Sequence, residues 1–176
     1  NIKELNFKKI KALKEILLSW NIDVIINCAG VVKQNPELSN LVTTIEINSL
    51  FPHKLNILCN KLKIRLIHIS TDCVFSGKRG LYNEKDISDA NDIYGRSKYL
   101  GELKFENAVT LRTSFIGKEL STNYSLLNWF LSQNDIVYGY SKAIYSGLST
   151  NELAKIIEKY VIPDKNLKGL YNISND

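Results

Sequence analysis

Arg65-Leu66-Ile67-His68-Ile69-Ser70-Thr71-Asp72-Cys73-Val74-Phe75-Ser76-Gly77 changes character once along its length. Its first five residues form a short apolar run that predicts a strand. From Ser70 to about Ile93 the chain is polar, longer than an ordinary connection, and such loops often carry function. Upstream, Val24-Ile25-Ile26-Asn27 is a β-branched run suited to a strand buried on both faces, closed by the small-residue turn Cys28-Ala29-Gly30. Downstream, Val109-Thr110-Leu111-Arg112 and Leu170-Tyr171-Asn172-Ile173 predict two further strands. Apolar spacing of three and four predicts helices over residues 3–20 and 42–62. In the latter, Ile45, Leu50, Leu55, Leu58 and Leu62 are candidates for the buried side, and Pro52 marks a first turn or a kink. More helices are predicted from Tyr94 to about Phe105, over 124–132 and over 150–160. Strand and helix alternate throughout, which implies a Rossmann-like, doubly wound α/β fold with a parallel sheet. Ligands of such sheets sit beyond the carboxyl ends of the strands, here residues 27–34, 70–77 and 112–117.

The 176 residues are 44% hydrophobic and 23% charged, a globular composition. No apolar run approaches the roughly 20 residues of a membrane span, so neither a membrane nor a signal segment is expected. The net charge of +5 invites a nucleic-acid reading. However, Lys3, Lys8, Lys9, Lys11 and Lys14 share one helical pattern with Leu5, Ile10, Leu13, Ile16 and Leu17, which reads as a solvated helix face. Cys28, Cys59 and Cys73 have no metal-site spacing, and an odd count favours reduced thiols and a cytoplasmic setting. No metal site is expected. His68 alternates within an apolar strand and reads as core; His53 stands near a helix start. Methionine is absent and the chain stops at Asn175-Asp176, so it is expected to be a piece of a longer protein.

Tyr94-Gly95-Arg96-Ser97-Lys98 carries the chemistry. Four residues apart on a helix, Tyr94 and Lys98 differ by about 40° around the axis and project from one face. An ammonium near a phenol lowers the phenol's pKa and makes it a usable proton donor or acceptor near neutrality. A hydroxyl at the end of the strand before it, in Ser70-Thr71-Asp72, can hydrogen-bond a carbonyl oxygen as negative charge develops. The small residues after Asn27 would let a flat ligand approach the backbone.

In this order and at these distances, the segments resemble the extended short-chain dehydrogenase/reductase family, in its sugar-nucleotide branch of dTDP-4-dehydrorhamnose reductase type. The resemblance runs from Val24 to about Gly117. It rests on Asn27-Cys28-Ala29-Gly30, Ile47-Asn48, Ile69 to Gly77, Ile93 to Glu102 and Leu111-Arg112-Thr113-Ser114. It implies that Tyr94 is the general acid, that Lys98 holds the nicotinamide ribose and lowers the Tyr94 pKa, and that Thr71 polarises the carbonyl. It further implies that Asn27, Cys28, Ala29, Gly30, Ser70, Arg112, Thr113 and Ser114 line NADPH or NADH along with Tyr94 and Lys98. Thr71, Asp72, Val74, Phe75 and Phe115 would then meet the substrate, and Asn48 would support the site. Phe115 stands where the reductases commonly carry Trp.

The function implied is NAD(P)-dependent reduction of a nucleotide-activated 4-keto-6-deoxy sugar for bacterial surface polysaccharide. The alternatives are an epimerase or dehydratase on the same scaffold, or a non-catalytic NAD(P)-binding regulatory protein. A dehydratase commonly adds an acid/base pair after the Thr, where this chain has Asp72 and Cys73. The substrate-binding region would start near residue 115, and a homodimer is the expected assembly, with no nucleic-acid partner. The family's Gly-rich phosphate loop has no counterpart before Asn27. The 176 residues alone are therefore expected to be inactive, to bind NAD(P)H weakly, and to self-associate through an open sheet edge at Val24–Asn27.

Overall fold

The computed structural model describes residues 10–103, 107–120 and 125–175. The expected helix over 3–9, the end of the helix expected to reach Phe105, and Tyr124 lie outside the described residues. In chain order the elements are α1 (Ile10–Trp20), β1 (Val24–Asn27), α2 (Leu41–Ile45), α3 (Phe51–Leu62), β2 (Arg65–Thr71), α4 (Ile93–Leu100), β3 (Ala108–Thr113), β4 (Phe115–Ile116), α5 (Leu126–Leu131), β5 (Leu148–Ser149), α6 (Thr150–Ile156) and β6 (Gly169–Ile173).

Successive strand residues face opposite sides of a sheet, and here both sides are covered. Leu66 and Ala108 face one core, formed with Leu17, Phe51, Leu55, Leu58 and Cys59 of α1 and α3. Ile67, Ile69, Val109 and Leu111 face the other, formed with Leu148, Leu153, Ile157 and Val161. The strands run parallel in the order β1-β2-β3-β6. This is the doubly wound α/β sheet expected from the alternation. A second, two-stranded parallel sheet joins β4 to β5. No helix among the described residues is long and apolar enough to cross a membrane.

The structure departs from the expected elements in three places. Residues 41–62 are helical throughout, but a π-helical turn at Glu46–Leu50 separates α2 from α3. Pro52 lies in the first turn of α3; it has no N–H, and its ring would crowd the carbonyl four residues back, that of Asn48. The wide turn relieves that conflict. It also inserts one residue, about 100° of rotation. The buried residues are Thr44 before the turn and Asn48 and Ser49 within it, while Leu50, expected in the core, is 47% exposed. Second, β2 extends to Thr71, because Ser70 and Thr71 pair with Arg112 and Thr113. A 3-10 turn, Asp72–Val74, follows it. Third, α4 stops at Leu100: Gly101 caps it, and Glu102 is drawn into the core by Arg112.

Candidate active site

The carboxyl ends of β1, β2 and β3 carry the residues that sequence marks for chemistry. Asp92 caps the N-terminus of α4, accepting from the Gly95 N–H at 2.9 Å, a contact of a kind worth about 1 kcal/mol. A side chain at Gly95 would overlap the Cys73 carbonyl and the Ala90 Cβ, so only glycine lets α4 lie this close to the turn after β2. That approach brings the Tyr94 phenol into a hydrogen bond with the Thr71 side chain. Thr71 is buried, and its Oγ1 also accepts from the Cys73 N–H at 3.1 Å. Lys33 reaches over from the loop after β1, pairing with Asp92 at 3.2 Å and standing 5.9 Å from the Tyr94 ring centroid.

Lys98 is buried, and its Nζ donates to the Ile69 carbonyl at 2.7 Å. Burial lowers its pKa to about 8, opposed by the Glu102 carboxylate and Cys28. The Tyr94 phenol moves the other way. Burial raises it to about 12, the Thr71 hydrogen bond opposes, and Lys98 is not among the causes. The expected lowering of Tyr94 by Lys98 is therefore corrected: the ammonium is tied to a backbone carbonyl, and desolvation dominates the phenol. Tyr94 is consequently a protonated donor at neutral pH.

Asn48 is fully buried where the π-helical turn puts it. It accepts from the Val31 N–H at 2.7 Å and donates to the Val31 carbonyl and the Ser97 Oγ, both at 3.0 Å. One side chain thus ties the loop after β1 to α4. Asn27, expected to line a dinucleotide, is buried with its amide committed to His68 Nδ1 at 3.0 Å and to the Ala29 N–H at 3.2 Å. His68 is fully buried, as its alternation in the strand implies, and desolvation lowers its pKa to about 3.

Cys28 and Gly30 are exposed and Ala29 is half-buried, and Gly30 lies next to Lys98. A Cβ at Gly30 would stand 3.7 Å from Lys98 Nζ and 3.4 Å from Asn48 Oδ1, so the missing side chain leaves the ammonium reachable. With one hydrogen bond made, Lys98 has further N–H donors for a diol such as a ribose.

Several residues assigned to ligand contact by resemblance are held elsewhere. Arg112 makes a two-pronged pair with Glu102, both contacts at 2.7 Å, and Ser70 Oγ donates to the same carboxylate at 3.0 Å. Both charged side chains are buried, so this network braces β2 against β3, committing Arg112 Nε and Nη2 and Ser70 Oγ to Glu102 while Arg112 Nη1 keeps no hydrogen-bond partner among the described residues. Val74 is fully buried and offers a substrate no surface. Phe75 is covered on two sides, by the Arg112 guanidinium at 4.9 Å and by the Tyr82 ring at 4.3 Å. Thr113 is buried; Asp72 and Ser114 are half-buried at the strand ends, and Phe115 is exposed. Sequence reading assigned no role to Lys33, Asp92, Glu102 or Tyr145. Asp92 before an apolar-periodic run is a legible cap; the other three have no local signal.

Two surface clefts, of about 460 and 590 Å3, contain none of Thr71, Tyr94 and Lys98. The first lies at the amino ends of the strands, the end of a doubly wound sheet that does not bind ligands.

A family model described as the RmlD substrate binding domain matches residues 1–174. A dTDP-4-dehydrorhamnose reductase of Mycobacterium tuberculosis is 34% identical over 103 residues, 53% of this chain and 34% of that protein. One of Aggregatibacter actinomycetemcomitans is 26% identical over 98% of this chain and 62% of its own length. A solved structure of the Bacillus anthracis dTDP-4-dehydrorhamnose reductase, in complex with NADP, superposes with a TM-score of 0.84 at 23% identity. That likeness, one of fold, covers 98% of this chain and 63% of that one. The chain thus spans about one third to just under two thirds of these relatives. Because the family match runs from the first helix to the end of β6 and includes the Thr71, Tyr94 and Lys98 constellation, the chain belongs to the RmlD substrate binding domain family.

Proposed function

We propose that the protein carrying these residues is an NAD(P)H-dependent reductase of a nucleotide-activated 4-keto-6-deoxy sugar. One observation carries this reading: a half-buried, protonated Tyr94 is hydrogen-bonded to Thr71, with the buried Lys98 one helical turn away. A reduced nicotinamide dinucleotide, when bound, supplies the hydride. Thr71 and Tyr94 hydrogen-bond the carbonyl oxygen of the substrate and stabilise the charge that builds there. The Tyr94 Oη–H bond breaks as its proton goes to that oxygen, giving the alcohol. Lys98, open toward Gly30, holds the ribose hydroxyls. Relatives named dTDP-4-dehydrorhamnose reductase support the substrate class and the structural likeness to an NADP complex supports the cofactor. A dehydratase reading is weaker, because burial pushes the Cys73 thiol up and keeps it neutral where a second acid/base group would stand.

The test is Tyr94→Phe in the natural full-length protein. It keeps the ring and removes the proton, so turnover of a dTDP-4-keto-6-deoxyhexose should fall about 10²–10⁴-fold, with NADPH affinity nearly unchanged. Unaltered turnover would remove Tyr94 from the chemistry and the reading with it.

A further inference from the structure

A second phenol stands beside the carboxyl end of β3, where Ser114 follows the strand. Tyr145 is hydrogen-bonded to the Ser114 side chain, and Asp72 and Cys73 lie within electrostatic reach of it, as they do of Tyr94. The two tyrosines come from different parts of the chain: Tyr94 from α4, Tyr145 from the segment leading into β5, which packs at the carboxyl end of β3 through the Leu148 N–H bond to the Ser114 carbonyl.

The backbone that follows Tyr145 is held in place. The Leu148 N–H donates to the Ser114 carbonyl at 2.9 Å, and the Ser146 carbonyl accepts from the Asn175 N–H at 2.7 Å. The β4–β5 pairing fixes the register, with Leu148 opposite Phe115. The ring then folds back over Gly147, where a Cβ would overlap its hydroxyl end. Glycine at 147 is thus a condition of the ring's position. About half of Tyr145 remains exposed. Partial burial raises the phenol's pKa, which leaves it a proton-bearing donor at neutral pH.

We propose that Tyr145, positioned by Ser114 and Gly147, is a substrate-orienting residue that hydrogen-bonds the sugar of the nucleotide-sugar substrate beside the Thr71–Tyr94 pair. The proposal rests on the reductase reading for the identity of the substrate. A phenol suits a pyranose: the hydroxyl bonds a ring hydroxyl while the aromatic face packs on the sugar's C–H face. Tyr145 transfers no proton; it sets the sugar's position, so its contribution belongs to substrate binding.

The test uses the natural full-length protein and two variants, Tyr145→Phe and Gly147→Ala. The first removes the hydroxyl, and the second displaces the ring while leaving the hydroxyl in place. Losing one good hydrogen bond to substrate should raise KM for a dTDP-4-keto-6-deoxyhexose about tenfold. Here kcat should stay within about twofold and KM for NADPH should not move. Gly147→Ala should copy the KM effect although Tyr145 is intact, which a general loss of stability would not do selectively. Variants with wild-type KM, or with only kcat lowered, overturn the proposal while active wild-type protein keeps the reductase reading. Calorimetric titration with dTDP-rhamnose separates the two ideas. Wild-type protein that binds it without reducing any keto sugar, and binds it about tenfold less tightly as Tyr145→Phe, removes the reductase reading and keeps Tyr145. Wild-type protein that neither binds nor reduces removes both.

Discussion

His68 is a titratable group sealed inside the sheet. Its ring accepts from the Asn27 amide at 3.0 Å, and burial, then the positive charges of Lys98 and His53, lower its pKa to about 3. The unfolded chain binds a proton near pH 6.5, whereas the folded chain binds it only near 3. Between those values the unfolded state holds more protons, so stability falls as pH drops through that window. The limiting slope is on the order of 1.4 kcal/mol per pH unit. His68→Gln keeps an acceptor for Asn27 and cannot titrate. Urea unfolding at pH 7 and pH 4 should show a smaller loss for the variant than for the wild type; equal losses would mean that His68 does not drive the acid sensitivity. Lys98 and Tyr94 bracket the alkaline side. Lowering Lys98 to about 8 makes stability rise from there toward its unfolded value near 10.5. Raising Tyr94 to about 12 makes stability fall as pH climbs from 10 toward 12.

At the scale of elements, the site depends on two close approaches of α4. Gly95 lies against the Asp72–Val74 turn, and Gly101 lies against the Asn48 carbonyl on the π-helical turn. Gly95→Ala sets a methyl into the Cys73 carbonyl and the Ala90 side chain, neither of which is a flexible tip. The helix must move out. Overpacking of this kind costs about 1–3 kcal/mol, and it separates Tyr94 from Thr71. Thermal unfolding should show the loss, and turnover should drop by more than the stability change accounts for. A variant as stable and as active as wild type would mean that the approach is not needed. The motif Tyr-x-x-x-Lys was legible because a helix turns that spacing into one face. The glycine at its second position was equally visible, but its function was not, because the atoms it avoids belong to a turn twenty residues earlier in the chain.

At the scale of the whole molecule, β1 is paired on one side only among the described residues, with β2. Ile26 at that edge is 42% exposed. An apolar edge with free N–H and C=O groups pairs readily with another chain. The 176-residue chain alone is therefore expected to self-associate, and Ile26→Lys, which places a charge on the edge, should reduce it. Light scattering decides between this and a monodisperse monomer, the result that would refute it. Sequence by itself determined the parts governed by short range. Runs such as Val24-Ile25-Ile26 and Arg65 to Ile69 suit buried parallel strands, and their alternation with helices leaves few sheets to choose from. It also determined where chemistry sits, because ligands of such sheets meet the strands' carboxyl ends. Tertiary structure alone decided what those residues touch. Arg112 pairs with Glu102, a partner no local pattern announces, since a buried guanidinium takes the carboxylate within reach. Leu50 left the core because it lies in the wide turn before Pro52, whose extra residue breaks the helical periodicity there. Tyr94 rose instead of falling, because desolvation depends on everything packed around a group and not on the residue four places along. The segment carrying Tyr145 reached the end of β3 only through the pairing of β4 with β5, a long-range contact with no local pattern to announce it.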